Sequence, residues 1–226
     1  DEQLKQIAKQ ATENFASLGL KTQVKVFKGK FDAKAYGKLD KTDAVAVIGK
    51  KEAVIKSIEG YNKAFAEEAS GFGSNGVDGN VNPEQSQNPR GSTNQNDGNI
   101  IALATDATET MATIANASFE ETAAFLVNHG AGHNANMEHA GDNNSYDANG
   151  KYHSGGISVP GTPNVMTDGG VIMRRIRSGY YGKETLSTYI NSPANTQPAN
   201  GNTISIQAMY MHRFGNNTPN ATLPTQ

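Results

Sequence analysis

The run His129-Gly-Ala-Gly-His-Asn-Ala-Asn-Met-Glu-His139 holds three of the chain's five histidines, at spacings of four and six. Residues four apart on a helix project from one face a turn apart, so His129 and His133 can share one ion through their imidazole nitrogens. Six residues further along an unbroken helix, His139 would point elsewhere. The spacing therefore predicts that the helix ends near residue 136 and that the chain turns back. Asn136 suits the left-handed residue such a reversal needs. Three imidazoles leave one coordination position for water, as in a catalytic rather than a closed structural zinc site. The same donors also accept cobalt, nickel or copper. The alternative is a polar, Asn-rich helix end carrying surface histidines.

Composition restricts the chemistry around this run. The 226 residues include no cysteine, which removes disulfides, thiolate zinc ribbons and cysteine nucleophiles and leaves histidine and carboxylate as metal ligands. With 36% hydrophobic residues and 24 glycines the chain can bury a core, while a mean hydropathy of -0.58 promises long polar loops. A net charge of -2 supplies no basic field for neutralising phosphates, which argues against nucleic acid as a partner. No apolar run approaches the roughly 18 residues that span a bilayer. The opening at Asp1, without a charged-then-apolar leader, reads as a processed product or an excised domain. A cysteine-free, Asn-rich surface fits a secreted or extracellular protein, and a monomer is expected.

Outward from the histidines, Ser118 and Glu121 form a capping-box pattern that opens the helix through Phe119 to Val127. Residues 2 to 18 place Leu4, Ile7, Ala8, Ala11, Phe15 and Leu18 at helical spacing, and Gly19 stops the pattern. Strands are expected at Thr22 to Phe27, which alternates, at the continuously apolar Ala44 to Ile48, and at Asn99 to Thr105. Glu109 to Ala115 reads as a further strand, and Lys51 to Glu68 as a helix. Residues 70 to 98 read as a long surface loop. After residue 140 regular patterns are few, with exceptions at Gly169 to Ile176 and at Thr203 to Phe214, the latter taken as a closing helix.

The histidine run resembles the zinc motif of the metzincin metallopeptidases, HExxHxxGxxH, followed downstream by a methionine-containing turn. His129, His133 and His139 match its ligands, and Asn136 stands where the family has glycine. Val165-Met166-Thr167 matches the Met-turn and would place Met166 beneath the metal as an apolar floor; an ordinary core methionine is the alternative. The resemblance covers residues 118 to 168. It implies an α/β (α+β) zincin fold: a twisted mixed sheet with backing and active-site helices above a smaller irregular lower lobe. The upper subdomain would span 1–136 and the lower 137–226. It also implies an exposed edge strand that pairs with an extended peptide substrate, and Asn99, Ile100, Ile101, Ala102 and Leu103 are the candidates. The first family strand normally precedes the backing helix, and none is found before it here.

One motif position departs from the family: Gly130 stands in place of glutamate. That carboxylate ordinarily takes a proton from the attacking water and passes it to the leaving amine. Its loss is expected to leave the metal site assembled while cutting turnover by about 10²- to 10⁴-fold or more. Glu138 adjoins His139 but diverges from it, and Glu120 and Glu121 lie about two turns before His129. Gly130 marks either a natural pseudoenzyme or an inactivated form of an active protease, and the intact ligand set favours the second.

Weaker signals remain. Asp142, Asn144, Asp147 and Asn149 form an oxygen-rich cluster that is a candidate for Ca2+, although EF-hand spacing is absent and a solvated loop is the plainer reading. His153 is a candidate to support the metal ligands from behind, and His212 reads as structural. Tyr180 and Tyr181 could lend a hydroxyl to the reaction or simply pack. Arg174, Arg175 and Arg177 read as a solvated basic face. The leading expectation is a zinc metalloendopeptidase lacking its general base. The competing ones are a zinc-stabilised peptide-binding module and a hydrolytic toxin domain of a larger secreted protein.

Overall fold

A computed structural model describes residues 2–22, 24–26, 43–59, 80–81, 100–135, 137, 144–146, 152–154, 162–179, 182–197 and 205–214. It is a mixed α/β chain in which helices dominate a small sheet. Helix α1 (Glu2–Ser17) buries Ile7, Ala11, Asn14 and Phe15 along one stripe. It ends at Gly19, whose φ of 76° permits the left-handed turn. There Leu20 N–H reaches Phe15 O at 2.9 Å and Gly19 N–H reaches Ala16 O at 2.9 Å, satisfying carbonyls a helix end would otherwise orphan.

The sheet is built on β1 (Val45–Gly49) and β3 (Ile100–Ala104), which run parallel, with helix α2 (Lys51–Glu59) following β1. The two-residue β2 (Asn80–Val81) pairs antiparallel with Ile100 and Ile101 on the other side of β3. The strand expected at the exposed edge is therefore the middle strand of three. The reason is visible in its residues: Ile101, Ala102, Leu103 and Ala104 are all buried, so both faces are covered, as in a central parallel strand.

Two other expectations are corrected. Residues 24–26 belong to no strand, and Val24 and Val26 are exposed; an alternating pattern makes a strand only where a sheet edge accepts it. Glu109 to Ala115 is helical, as part of α3 (Thr105–Ala115). Its buried residues Thr108, Ala112 and Ala115 recur at spacings of four and three. Its threonines also turn their hydroxyls back onto helix carbonyls, Thr108 to Ala104 O at 2.8 Å and Thr113 to Glu109 O at 2.9 Å.

Helix α4 (Phe119–Asn134) starts where expected, with the Ser118 hydroxyl accepting Glu121 N–H at 3.0 Å. It buries Ala123, Ala124, Phe125, Asn128, His129 and the turn through Ala131 and Gly132, and α1 lies along it. Strands β4 (Asn144–Tyr146) and β5 (Tyr152–Ser154) form a hairpin. Helices α5 (Gly169–Ser178), α6 (Leu186–Ile190) and α7 (Ile206–Phe214) complete the described chain, with a short 3-10 turn at Pro193–Asn195. The closing helix thus starts at Ile206.

One hydrophobic cluster joins Phe15 of α1, Leu18 just after it, Ile101 and Leu103 of β3, Phe125 of α4, Met137, Met166, Ile172, Tyr189 and Tyr210. It unites residues on both sides of the expected division at 136. No helix among the described residues is long and apolar enough to cross a membrane.

Candidate metal centre

His129 and His133 both project from α4 with ring centroids 4.9 Å apart and planes at 81°. Each ring is oriented by a backbone carbonyl. His129 Nδ1 lies 2.8 Å from Val165 O, and His133 Nδ1 lies 2.8 Å from Met137 O. A carbonyl oxygen only accepts, so each Nδ1 carries the proton and donates it. The Nε2 atoms face each other at 3.2 Å.

A tetrahedral zinc with bonds of about 2.0–2.1 Å sets two nitrogen ligands about 3.3–3.4 Å apart, close to the observed gap. The Nδ1–H to carbonyl bonds are also the arrangement by which metal-bound histidines are fixed in tautomer and angle. His129 is 2% exposed, and burial pushes its pKa below the usual histidine range, against smaller upward pulls from Val165 O and the Asp168 carboxylate. Its lone pair is therefore available at neutral pH. On donor chemistry and geometry this pair fits a divalent metal.

The end of α4 follows the expected reversal. The last helical residue is Asn134, and Met137 N–H reaches back to Gly132 O at 3.1 Å, the long closure that seals a helix as the chain turns away. That turn also brings Met137 O onto His133. Asn136 and His139 lie outside the described residues, and among the described residues no group of three or more His, Asp or Glu side chains assembles.

Met166 is fully buried against the turn of α4 that separates the two histidines. A Cβ added at Gly132 would collide with Met166 Sδ and lie 3.0 Å from the Tyr210 hydroxyl, so this glycine lets the methionine approach the helix backbone. The Tyr210 hydroxyl donates to Asn128 O at 2.6 Å and lies 4.0 Å from Met166 Sδ. Complete burial pushes the Tyr210 pKa up, keeping the phenol as a donor.

Gly130 faces β3. A Cβ there would stand 2.6 Å from Ile101 Cγ2 and 3.2 Å from Ile101 Cγ1, and Ile101 is itself buried. The helix thus sits closer to the sheet at residue 130 than a side chain permits without a shift of Ile101.

The remaining candidates divide. His153 lies in β5 opposite Ser145, and Asn144 lies in β4 opposite Ser154; Asp142, Asp147, Asn149, Tyr180, Tyr181, Glu138 and Asn99 lie outside the described residues. Glu120 accepts from Gln3 at 2.9 Å near the start of α4, and that bond holds its carboxyl below the usual range. His212 is exposed. The arginine cluster is only partly a solvated face. Arg174 and Arg177 are exposed, but Arg175 is buried and bonds the Glu184 carboxylate at 3.0 and 2.6 Å, because its position on α5 faces the core beside Ile172.

Sequence reading missed the polar groups that hold the site. Asn14 Nδ2 donates to Asn128 Oδ1 at 2.7 Å, tying α1 to the histidine helix. Asn164 Oδ1 accepts Met166 N–H at 2.9 Å, and the N–H of Asn164 donates to the Thr167 hydroxyl at 3.2 Å, closing the Met166 turn on itself. Asn195 Oδ1 accepts Val165 N–H at 2.9 Å. Only the Asn164 turn has a local signal, an Asx residue two positions before the amide it caps. Compared with protein-family models, curated proteins and solved structures, the chain matches none.

Proposed function

We propose that this chain is a metal-binding protein of the zinc metalloendopeptidase type that lacks its general base, resembling the metzincins in motif. The observation that carries the reading is the convergence of the two Nε2 atoms at 3.2 Å, with each ring locked through Nδ1 by a backbone carbonyl. His129 and His133 would hold the ion, and the motif assigns His139 as the third ligand. A bound Zn2+ supplies a water of pKa lowered toward ~7 and polarises a carbonyl. Met166 would exclude water from beneath the ligands, and Val165 O keeps the proton of His129 on the side away from the ion. At Gly130 the chain offers no group to accept a proton, which makes slow or absent peptide hydrolysis the expected basal state.

The close approach of Gly130 to Ile101 favours a second reading, a non-catalytic zinc-stabilised peptide-binding protein in which the glycine belongs to the packing. One experiment separates the two. Metal content is measured on the purified chain, and peptide cleavage is assayed for Gly130→Glu and for Gly130→Glu combined with Ile101→Ala, with and without chelator. Zinc at one equivalent and chelator-sensitive cleavage in either variant supports the peptidase reading. Zinc without cleavage in both favours the binding protein, and absence of bound metal removes both.

A further inference from the structure

We infer that Asn195 is a positioning residue for the metal ligand His129, acting through the peptide backbone at Val165. The inference rests on the proposed metal site but concerns a residue that no motif contains. Asn195 is 1% exposed and ends the 3-10 turn at Pro193–Asn195. Its carboxamide spans two structural units. Nδ2 donates to Tyr189 O and Ile190 O, both at 2.8 Å, satisfying carbonyls left open at the end of α6. Oδ1 accepts Val165 N–H at 2.9 Å across 30 residues of sequence.

Val165 O is the atom that receives the Nδ1 proton of His129. The following N–H, of Met166, is held by Asn164 within the same turn. The local bond shapes the turn, and the Asn195 bond ties it to the rest of the fold. Without that tie the turn keeps its shape but can rotate or slide relative to α4. Val165 O then leaves the line of Nδ1–H, and the opposite lone pair of the ring loses its aim at the ion. Interactions of this outer kind change metal affinity by about 10- to 100-fold.

The test compares the whole chain with Asn195→Ala, Asn195→Asp and Ser192→Ala. The serine caps the same 3-10 turn, accepting Ala194 N–H at 3.2 Å, but does not touch Val165. Zn2+ affinity is read by chelator competition, ligand geometry by the visible spectrum with Co2+, and the His129 tautomer by ¹⁵N shifts of its ring in metal-free protein. The expected result is an affinity lower by about 10- to 100-fold for Asn195→Ala, a shifted Co2+ spectrum and a mixed tautomer, with Ser192→Ala within about twofold of the parent. Asn195→Asp keeps the acceptor for Val165 and loses the donors to α6, so it should melt earlier yet bind Zn2+ almost as the parent does. That variant carries the test if Asn195→Ala does not fold.

A parent-like affinity, spectrum and tautomer in Asn195→Ala overturns the inference, as does a loss of affinity in Asn195→Asp that matches its loss of stability. If the parent chain binds neither ion, the metal reading fails and with it the affinity arm of this test. A single Nδ1–H tautomer lost only in Asn195→Ala would then still identify the backbone link.

Discussion

Two polar clusters in the molecule are built on opposite principles. In the first, Arg175 and Glu184 make a two-pronged ion pair, and Tyr189 donates to the same carboxylate at 2.6 Å. Burial works against ionising Glu184, but the bonds from Arg175 and Tyr189 and the arginine charge outweigh it and hold the carboxyl below its usual range. In the second, the carbonyls of Val165 and Met137 orient His129 and His133 so that their two Nε2 atoms face each other. The closed network holds the fold together, whereas the oriented pair presents two imidazole nitrogens at about the spacing that two ligands of one zinc ion would have.

The largest expected effect breaks the closed cluster. Glu184→Ala leaves the Arg175 charge buried without its partner and should cost about 3–5 kcal/mol of stability, measured by chemical denaturation. Its Zn2+ stoichiometry should remain that of the parent. A proportionate loss of metal binding would show that the two clusters are one unit.

His133→Ala should do the reverse. Removing a proposed ligand should weaken Zn2+ binding beyond the roughly 100-fold limit of outer interactions, while the metal-free protein should lose little stability, since His133 is only half-buried. Unchanged affinity in a chelator competition would return the histidines to an ordinary helix end.

Gly132→Ala tests the floor of the site. The new methyl collides with Met166 Sδ, and overpacking of this kind costs about 1–3 kcal/mol. Combining it with Met166→Ala should recover part of that loss, as a double-mutant comparison of melting would register.

The smallest effect is in acid, and its sign separates the clusters. The folded pKa of His129 lies below its unfolded value of 6.5, so the unfolded chain takes up the proton first. Stability of the metal-free protein is then full above about pH 6.5 and declines as pH falls through the folded value. Glu184 contributes stability present above its unfolded value of 4.5 and lost as pH falls through its lowered folded value. Denaturation of the metal-free protein across this range should show an upper loss absent in His129→Phe and a lower one absent in Glu184→Gln. An upper loss that persists in His129→Phe would place the responsible proton elsewhere.

The contrast also measures how far the sequence could be read. The i, i+4 spacing of His129 and His133 and the Ser118 cap are local, and both are found in α4 as expected. The tautomers are not local, since they depend on Val165 O, 36 residues away, and on the reversal that delivers Met137 O. Burial of Arg175 was unreadable because three arginines in four positions look alike until the core claims one face of α5. Glu109 to Ala115 was misread because its threonines and isoleucine suggest a strand, and the i−4 carbonyls that accept the hydroxyls belong to the helix itself.

By itself, the sequence determined which residues carry side chains of metal-ligand type, that none is a thiolate, where the histidine helix starts and stops, and that position 130 has no carboxylate. These follow from side-chain chemistry and helical period, which act over a few residues. Tertiary structure alone decided that Ile100–Ala104 is a middle strand, that Gly130 packs against Ile101, and that Asn195 supports the peptide behind His129. Each of these is a contact between segments at least 19 residues apart, and only packing selects which distant segments meet.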